Sequence, residues 1–126
     1  MSITETLAHI TATIKGKLTL QGLQVYERPA GTSMQRNVLY IAGKSARMQE
    51  PAERAGVYTC DVIIAGSASD DVAVMQAIEQ AYSEAERELA GDGIIMRLAE
   101  LRSDAVPELD GQSIVSTLIE AQWLAS

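Results

Sequence analysis

The stretch CDVIIAGSASDDVAVM, residues 60–75, changes character at its midpoint. Its first half continues the run VYTCDVIIA (57–65), in which Tyr58, Cys60, Val62 and Ile64 project to one side and Val57, Thr59, Asp61 and Ile63 to the other. That is the two-residue period of a strand, and the first set is the core side. From Asp70 the period lengthens. Met75, Ile78, Tyr82, Ala85 and Leu89 step by three, four, three and four, which aligns them along one helical face. The cluster between the two periods is expected to be a boundary. Gly66 ends the strand, Ser69 caps the helix, and Asp70 and Asp71 fill the first turn, where the helix dipole favours negative charge. A phosphate loop fits poorly, because two aspartates would repel an anion and such loops bring more glycine and a nearby Lys. The result is a strand followed by a helix over about 69–90 that ends at GDG.

Outward from this unit, Ile3, Leu7, Ile10, Ile14 and Leu18 fall on one helical stripe. Ser2 followed by Glu5 gives a capping-box start and Gly16 a stop, which predicts a first helix over 3–15. LQVYE (23–27) and NVLYIAG (37–43) read as strands, and RPAGTSMQR between them as a long hairpin loop. A second loop, KSARMQEPAERAG, leads into the strand already described. After the long helix, IIMRLAELR (94–102) and SIVSTLIEAQWL (113–124) read as two further strands around a Pro107 and Asp110-Gly111 turn region. Leu98 and Leu101, three apart, leave a helical reading of 94–102 open, with strand preferred. In the last strand Val115, Thr117, Ile119, Ala121 and Trp123 share a side. The order predicts an α+β fold: a single, largely antiparallel β-sheet with an N-terminal helix and a long central helix packed on it. No repeat or linker interrupts the chain, so residues 1–126 are expected to form one domain.

Composition narrows the function classes. The chain is 47% hydrophobic but 4% aromatic, so its core is built from aliphatic side chains and Met. A formal charge of -7, from 17 acidic and 10 basic residues, opposes nucleic-acid binding, which draws on clustered Lys and Arg. One cysteine, Cys60, excludes an internal disulfide framework and a cysteine-based metal site. The first residues lack the basic start and unbroken apolar run of a signal peptide, and no run reaches the roughly 18 apolar residues of a membrane span. A soluble protein of the cytoplasm, or of a particle assembled there, is expected.

The candidate chemistry is sparse. His9, the sole histidine, has no second ligand at metal spacing and reads as a boundary residue of the first helix. Cys60, on the apolar side of its strand, should be a small hydrophobe with a raised pKa. Glu84, Glu86 and Glu88 diverge around their helix and form a solvated face. The two early loops carry more: Arg28, Arg36, Arg47 and Arg54 lie in or beside them with Met34 and Met48, against only three lysines in the chain. Arg and Met are enriched in protein interfaces and Lys depleted, so these six residues are the candidate subunit or partner contacts, with ordinary exposed loops as the alternative. No nucleophile, base and orienting group fall at recognisable spacing, which predicts a protein that is not an enzyme and needs no cofactor or metal.

The order of elements, the early VYERPA strand, GVYTCDVIIAGSASDDVAVMQAIEQAY running from strand into the long helix, and the closing DGIIMRLAEL and DGQSIVSTLIEAQW strands resemble the phage tail terminator family, the small minor tail protein U and its prophage relatives. The resemblance spans most of the chain and rests on patterns; the family has no active-site motif to carry over. It implies a structural protein that closes as a six-membered ring on the finished tail tube, ends tube polymerisation and presents the surface to which the head joins. The implied partners are further copies of itself, the tail tube protein and the head connector protein, with no membrane and no sequence-specific nucleic acid. The implied locations are the host cytoplasm during assembly and the virion tail. A small-molecule-binding regulatory α+β domain, dimeric through its sheet, is the alternative, which a metabolite-induced rise in melting temperature would support.

Overall fold

The computed structural model describes residues 2–27, 35–48, 56–106 and 110–124. In chain order these form α1 (Ile3–Leu20), β1 (Val25–Tyr26), β2 (Leu39–Met48), β3 (Val57–Ala68), α2 (Asp71–Ala90), β4 (Ile95–Ala105) and β5 (Ser113–Leu124). The strands make one sheet in the order β1-β2-β3-β5-β4. Every join is antiparallel except β1 with β2. The expected α+β fold, with both helices on a largely antiparallel sheet, is the observed one.

The centre of the sheet follows directly from period-two patterning. β3 and β5 pair over their whole length, from Val57 opposite Leu124 to Ala68 opposite Ser113. Cys60, Val62, Ile64, Val115, Thr117, Ile119, Ala121 and Trp123 are buried on the helix side. Ile10, Ile14 and Leu18 of α1 and Ile78, Ala81, Ala85 and Leu89 of α2 close over them in one apolar cluster. Tyr58 and Trp123, directly opposite each other, stack at a centroid distance of 5.6 Å and finish one end of the core. Across the helix pair, Lys17 meets Glu88 at 3.5 Å and His9 meets Asp92 at 2.9 Å.

The ends of elements depart from expectation for local reasons. Ser2 does cap α1, accepting from the Glu5 N–H at 3.1 Å. Gly16, however, lies inside the helix, and α1 runs on to Leu20. It stops at Gly22, whose φ of +82° is the left-handed conformation that favours glycine. There the Gly22 N–H reaches Thr19 O and the Leu23 N–H reaches Leu18 O, satisfying two carbonyls of the last turn. Gly93 closes α2 in the same manner, through the Gly93 N–H on Ala90 O and the Ile94 N–H on Leu89 O.

At the opening cluster, β3 continues past Gly66 to Ala68, and Asp70 rather than Ser69 caps α2 by accepting from the Ala73 N–H at 3.1 Å. The Ser69 N–H is taken up by the Asn37 side chain at 2.8 Å. The predicted hairpin of 23–27 with 37–43 is absent. β1 lies parallel to β2, Val25 opposite Leu39, and strands joined by a hairpin are antiparallel. The predicted loop starting at Lys44 is strand as far as Met48, after a bulge between Ile41 and Gly43. The 94–102 segment is strand, as preferred, and extends to Ala105 with its own bulge between Leu98 and Glu100.

Candidate interaction surface

Alternation along the strands that builds the core also builds a second sheet face, which no described helix covers. Along β3 it presents Val57, Thr59, Asp61, Ile63 and Ala65, and along β5 it presents Ile114, Ser116, Leu118, Glu120, Gln122 and Leu124. Ile63, at 41% exposed, is a large apolar side chain left open in mid-sheet. Toward one end the face becomes charged. Asp61 stands directly opposite Glu120 across β3 and β5, with Ser45 and Arg97 at the flanks of the same row; the adjacent row is Arg47, Thr59, Gln122 and Ile95. Apart from Ser45, these two rows line an open groove of about 470 Å³ over four strands.

The groove's electrostatics come from the register. Two carboxylates facing each other across a strand pair are destabilising unless a cation intervenes. Arg97 supplies it for Glu120, through its Nε at 3.0 Å and a second guanidinium contact. The pair holds the Arg97 proton still more firmly than usual. Asp61 has no ion-pair partner among the described residues.

Of the six residues singled out as contact candidates, Arg28, Met34 and Arg54 lie outside the described residues. Arg36 sits in the turn before β2 and pairs with Asp110 at 2.8 Å. Arg47 and Met48 stand at the far end of β2, on a strand rather than in a loop. With about 3.4 Å of rise per residue, the length of β2 separates Arg36 from Arg47 by more than 25 Å. The described candidates therefore occupy opposite ends of the sheet. Sequence reasoning missed Asp61, Arg97 and Glu120, although strict alternation in β3 and β5 already placed Asp61 and Glu120 on the face away from the core.

Two further titratable groups, Cys60 and Tyr82, are packed into the fold. Cys60 is buried, and burial, followed by the nearby Asp61 charge, pushes its thiol up to about 11, so it stays protonated at neutral pH. Desolvation, with Glu86 beside it, pushes Tyr82 up to about 12, and its hydroxyl donates to Met96 O at 3.1 Å. Among the described residues no three His, Cys, Asp or Glu side chains gather as metal ligands, and no helix is long and apolar enough to cross a membrane.

Asp71 ties the start of α2 to β4, accepting from the Ser103 hydroxyl at 2.6 Å. That hydrogen bond is the main reason its carboxyl titrates below the ordinary 3.8. A lowered folded pKa gives stability that is present above the unfolded value and lost as pH falls through the folded one. Ser103→Ala is expected to raise the Asp71 midpoint toward 3.8 in a carboxyl-carbon NMR titration; an unmoved midpoint would assign the shift to the helix terminus instead.

These features define a class: a two-layer α+β protein with one sheet face covered by helices and the other left uncovered among the described residues. No protein-family model and no curated protein matches the chain. Among solved structures it is similar to a chain described as "Virion of native gene transfer agent (GTA) particle", with a TM-score of 0.56 at 9% identity over 92% of each chain. At that identity the likeness is one of fold.

Proposed function

We propose that the protein is a structural component of a phage-type virion and, within that class, the terminator that closes a tail tube. The observation that carries this reading is the fold likeness over 92% of both chains to a chain of a gene transfer agent virion. The element order that resembles tail terminators in sequence supports the finer role. In this reading the 126 residues act as one domain and as a scaffold rather than an enzyme, with copies arranged head to tail in a closed ring, since a non-closing interface would give a filament. Its partners are further copies, probed first as a hexamer, the last ring of tail tube protein and the head connector. Assembly takes place in the host cytoplasm, and the product stays in the virion tail. Arg28, Met34, Arg36, Arg47, Met48 and Arg54 are assigned to subunit or tube contacts. Acidic side chains exposed on α2, including Glu79, Glu86 and Glu88, suit a surface past which DNA slides without adhering.

Disruption of the gene in its phage or induced prophage is expected to give overlong, headless tails by negative-stain electron microscopy. Purified protein added to the lysate should restore uniform length and head joining. Tails of normal length that carry heads would overturn the terminator role, and the 470 Å³ groove would then be screened for small-molecule ligands by thermal shift.

A further inference from the structure

Both edges of the sheet are open along most of their length among the described residues. At one edge β4 is the last strand over all of Ile95–Ala105. At the other, β1 pairs only with Leu39 and Tyr40, leaving β2 from Ile41 to Met48 with no strand beside it. The chain directions are complementary. Three successive antiparallel joins leave β2 and β5 running one way and β3 and β4 the other. A second copy set beside the first in the same orientation therefore brings its β2 antiparallel to β4, the geometry of every other long join in the sheet.

The charges on the two edges are also complementary. On the open part of β2, Lys44 is paired with Glu27 at 3.6 Å, and Arg47 has no ion-pair partner among the described residues. On β4, Arg102 lies between Glu100 at 3.3 Å and Asp104 at 3.4 Å, so two carboxylates share one guanidinium, while Arg97 is occupied by Glu120. The β4 edge is thus acidic beyond its own cations.

We propose that successive copies join edge to edge, the outer edge of β4 in one copy pairing antiparallel with Ile41–Met48 of β2 in the next, with Arg47 opposite Glu100. This register sets Gly43 opposite Asp104, Ser45 opposite Arg102, Ala46 opposite Leu101 and Lys44 opposite Ser103. It keeps the open face with the open face and the helix face with the helix face, as the pleat requires. The offset between copies is the stagger that a closed array of tilted strands needs. Bulges and charges on both edges blunt them against indiscriminate pairing. The join therefore forms only where this register can be satisfied. The proposal deepens the ring reading and rests on it for the head-to-tail arrangement.

Residues directly opposite on antiparallel strands are close enough for a disulfide. Full-length Arg47→Cys and Glu100→Cys proteins are mixed at millimolar concentration, oxidised with copper phenanthroline and resolved on a non-reducing gel. The buried Cys60 is retained in both, and the unsubstituted protein serves as control. The mixture is expected to give a cross-linked dimer that neither variant gives alone, and the double variant a ladder of higher species. In sedimentation, Arg47→Glu and Glu100→Arg should each weaken self-association by roughly tenfold, and their combination should restore it. Dimers from Glu100→Cys alone would replace this join with a twofold β4 contact, and no mixed disulfide would overturn the proposal. Normal tail lengths together with the mixed disulfide would overturn the tail role and leave the join standing.

Discussion

Gly66→Ala is expected to destabilise the protein by about 3 kcal/mol or more, near the upper end of what overpacking costs. Gly66 lies third from the end of β3, opposite Leu39 on one side and Val115 on the other. A methyl group there would come to 2.1 Å from the Val38 carbonyl oxygen and 2.8 Å from the Leu39 Cα. Both are backbone atoms at the start of β2, where β1 is also anchored, so no side-chain rotation relieves the contact. Strands β2 and β3 must separate locally, or the end of β3 must shift. The matching control is Gly43→Ala, whose added carbon meets only the Ile63 side chain at 3.6 Å, an ordinary contact. In urea melts the first variant should lose much of its midpoint, or fail to accumulate as soluble protein, while the second stays near the parent. Equal midpoints for the two would show that the start of β2 is not held where the sheet places it.

Gly66 also shows where reading the sequence succeeds and where it stops. Punctuation by glycine is ambiguous, because the same residue serves a turn, a helix end or a close backbone approach. Gly66 was expected to end a strand and instead makes room within it, and Gly16 was expected to end α1 although Gly22 does so. Which glycine stops a helix depends on where the chain has to go next, and that is tertiary information. One-sided burial, by contrast, writes itself into the local pattern. β3, β5 and α2 were legible because Cys60, Val62 and Ile64, then Val115 to Trp123, then Met75 to Leu89, repeat at the period of their element. β2 beyond Gly43 was not. As an edge strand it places Lys44, Ser45 and Arg47 close together and carries no clean alternation. The parallel pairing of β1 was hidden too, since two residues have no period.

The candidate surface was less legible than the fold for the same physical reason. Asp61, Arg97 and Glu120 come from three strands and meet only through the register that sets Asp61 opposite Glu120 and Glu120 opposite Arg97. The alternation that fixes the inner face determines which residues face outward. It does not determine which strands are neighbours. The order β2-β3-β5-β4 arises because α2 carries the chain from β3 over β5 to the far edge, leaving β5 to return between them. Arg and Met enrichment in the early segments singled out Arg36 and Arg47 together, but it gave no reason to place one in the turn before β2 and the other near the far end of that strand.

The second large effect tests the two faces against each other at adjacent positions. Ile64 is fully buried, opposite Ile41 and Thr117 in the middle of the core, whereas Ile63 is 41% exposed on the open face. Truncating Ile64 to Ala removes apolar atoms from a close-packed site and leaves a cavity that the central strands cannot easily collapse into, at an expected cost of about 4 kcal/mol. The same truncation at Ile63 removes atoms already partly in water and leaves no cavity, so about 1 kcal/mol or less is expected. Propensity cannot account for such a difference, because both substitutions replace Ile with Ala in one strand. Chemical denaturation of the two variants with unchanged slopes would read the face assignment directly. If Ile63→Ala proved as costly as Ile64→Ala, the open face would have to be covered in the folded protein, and the search for its cover would move to self-association measured on the same variant.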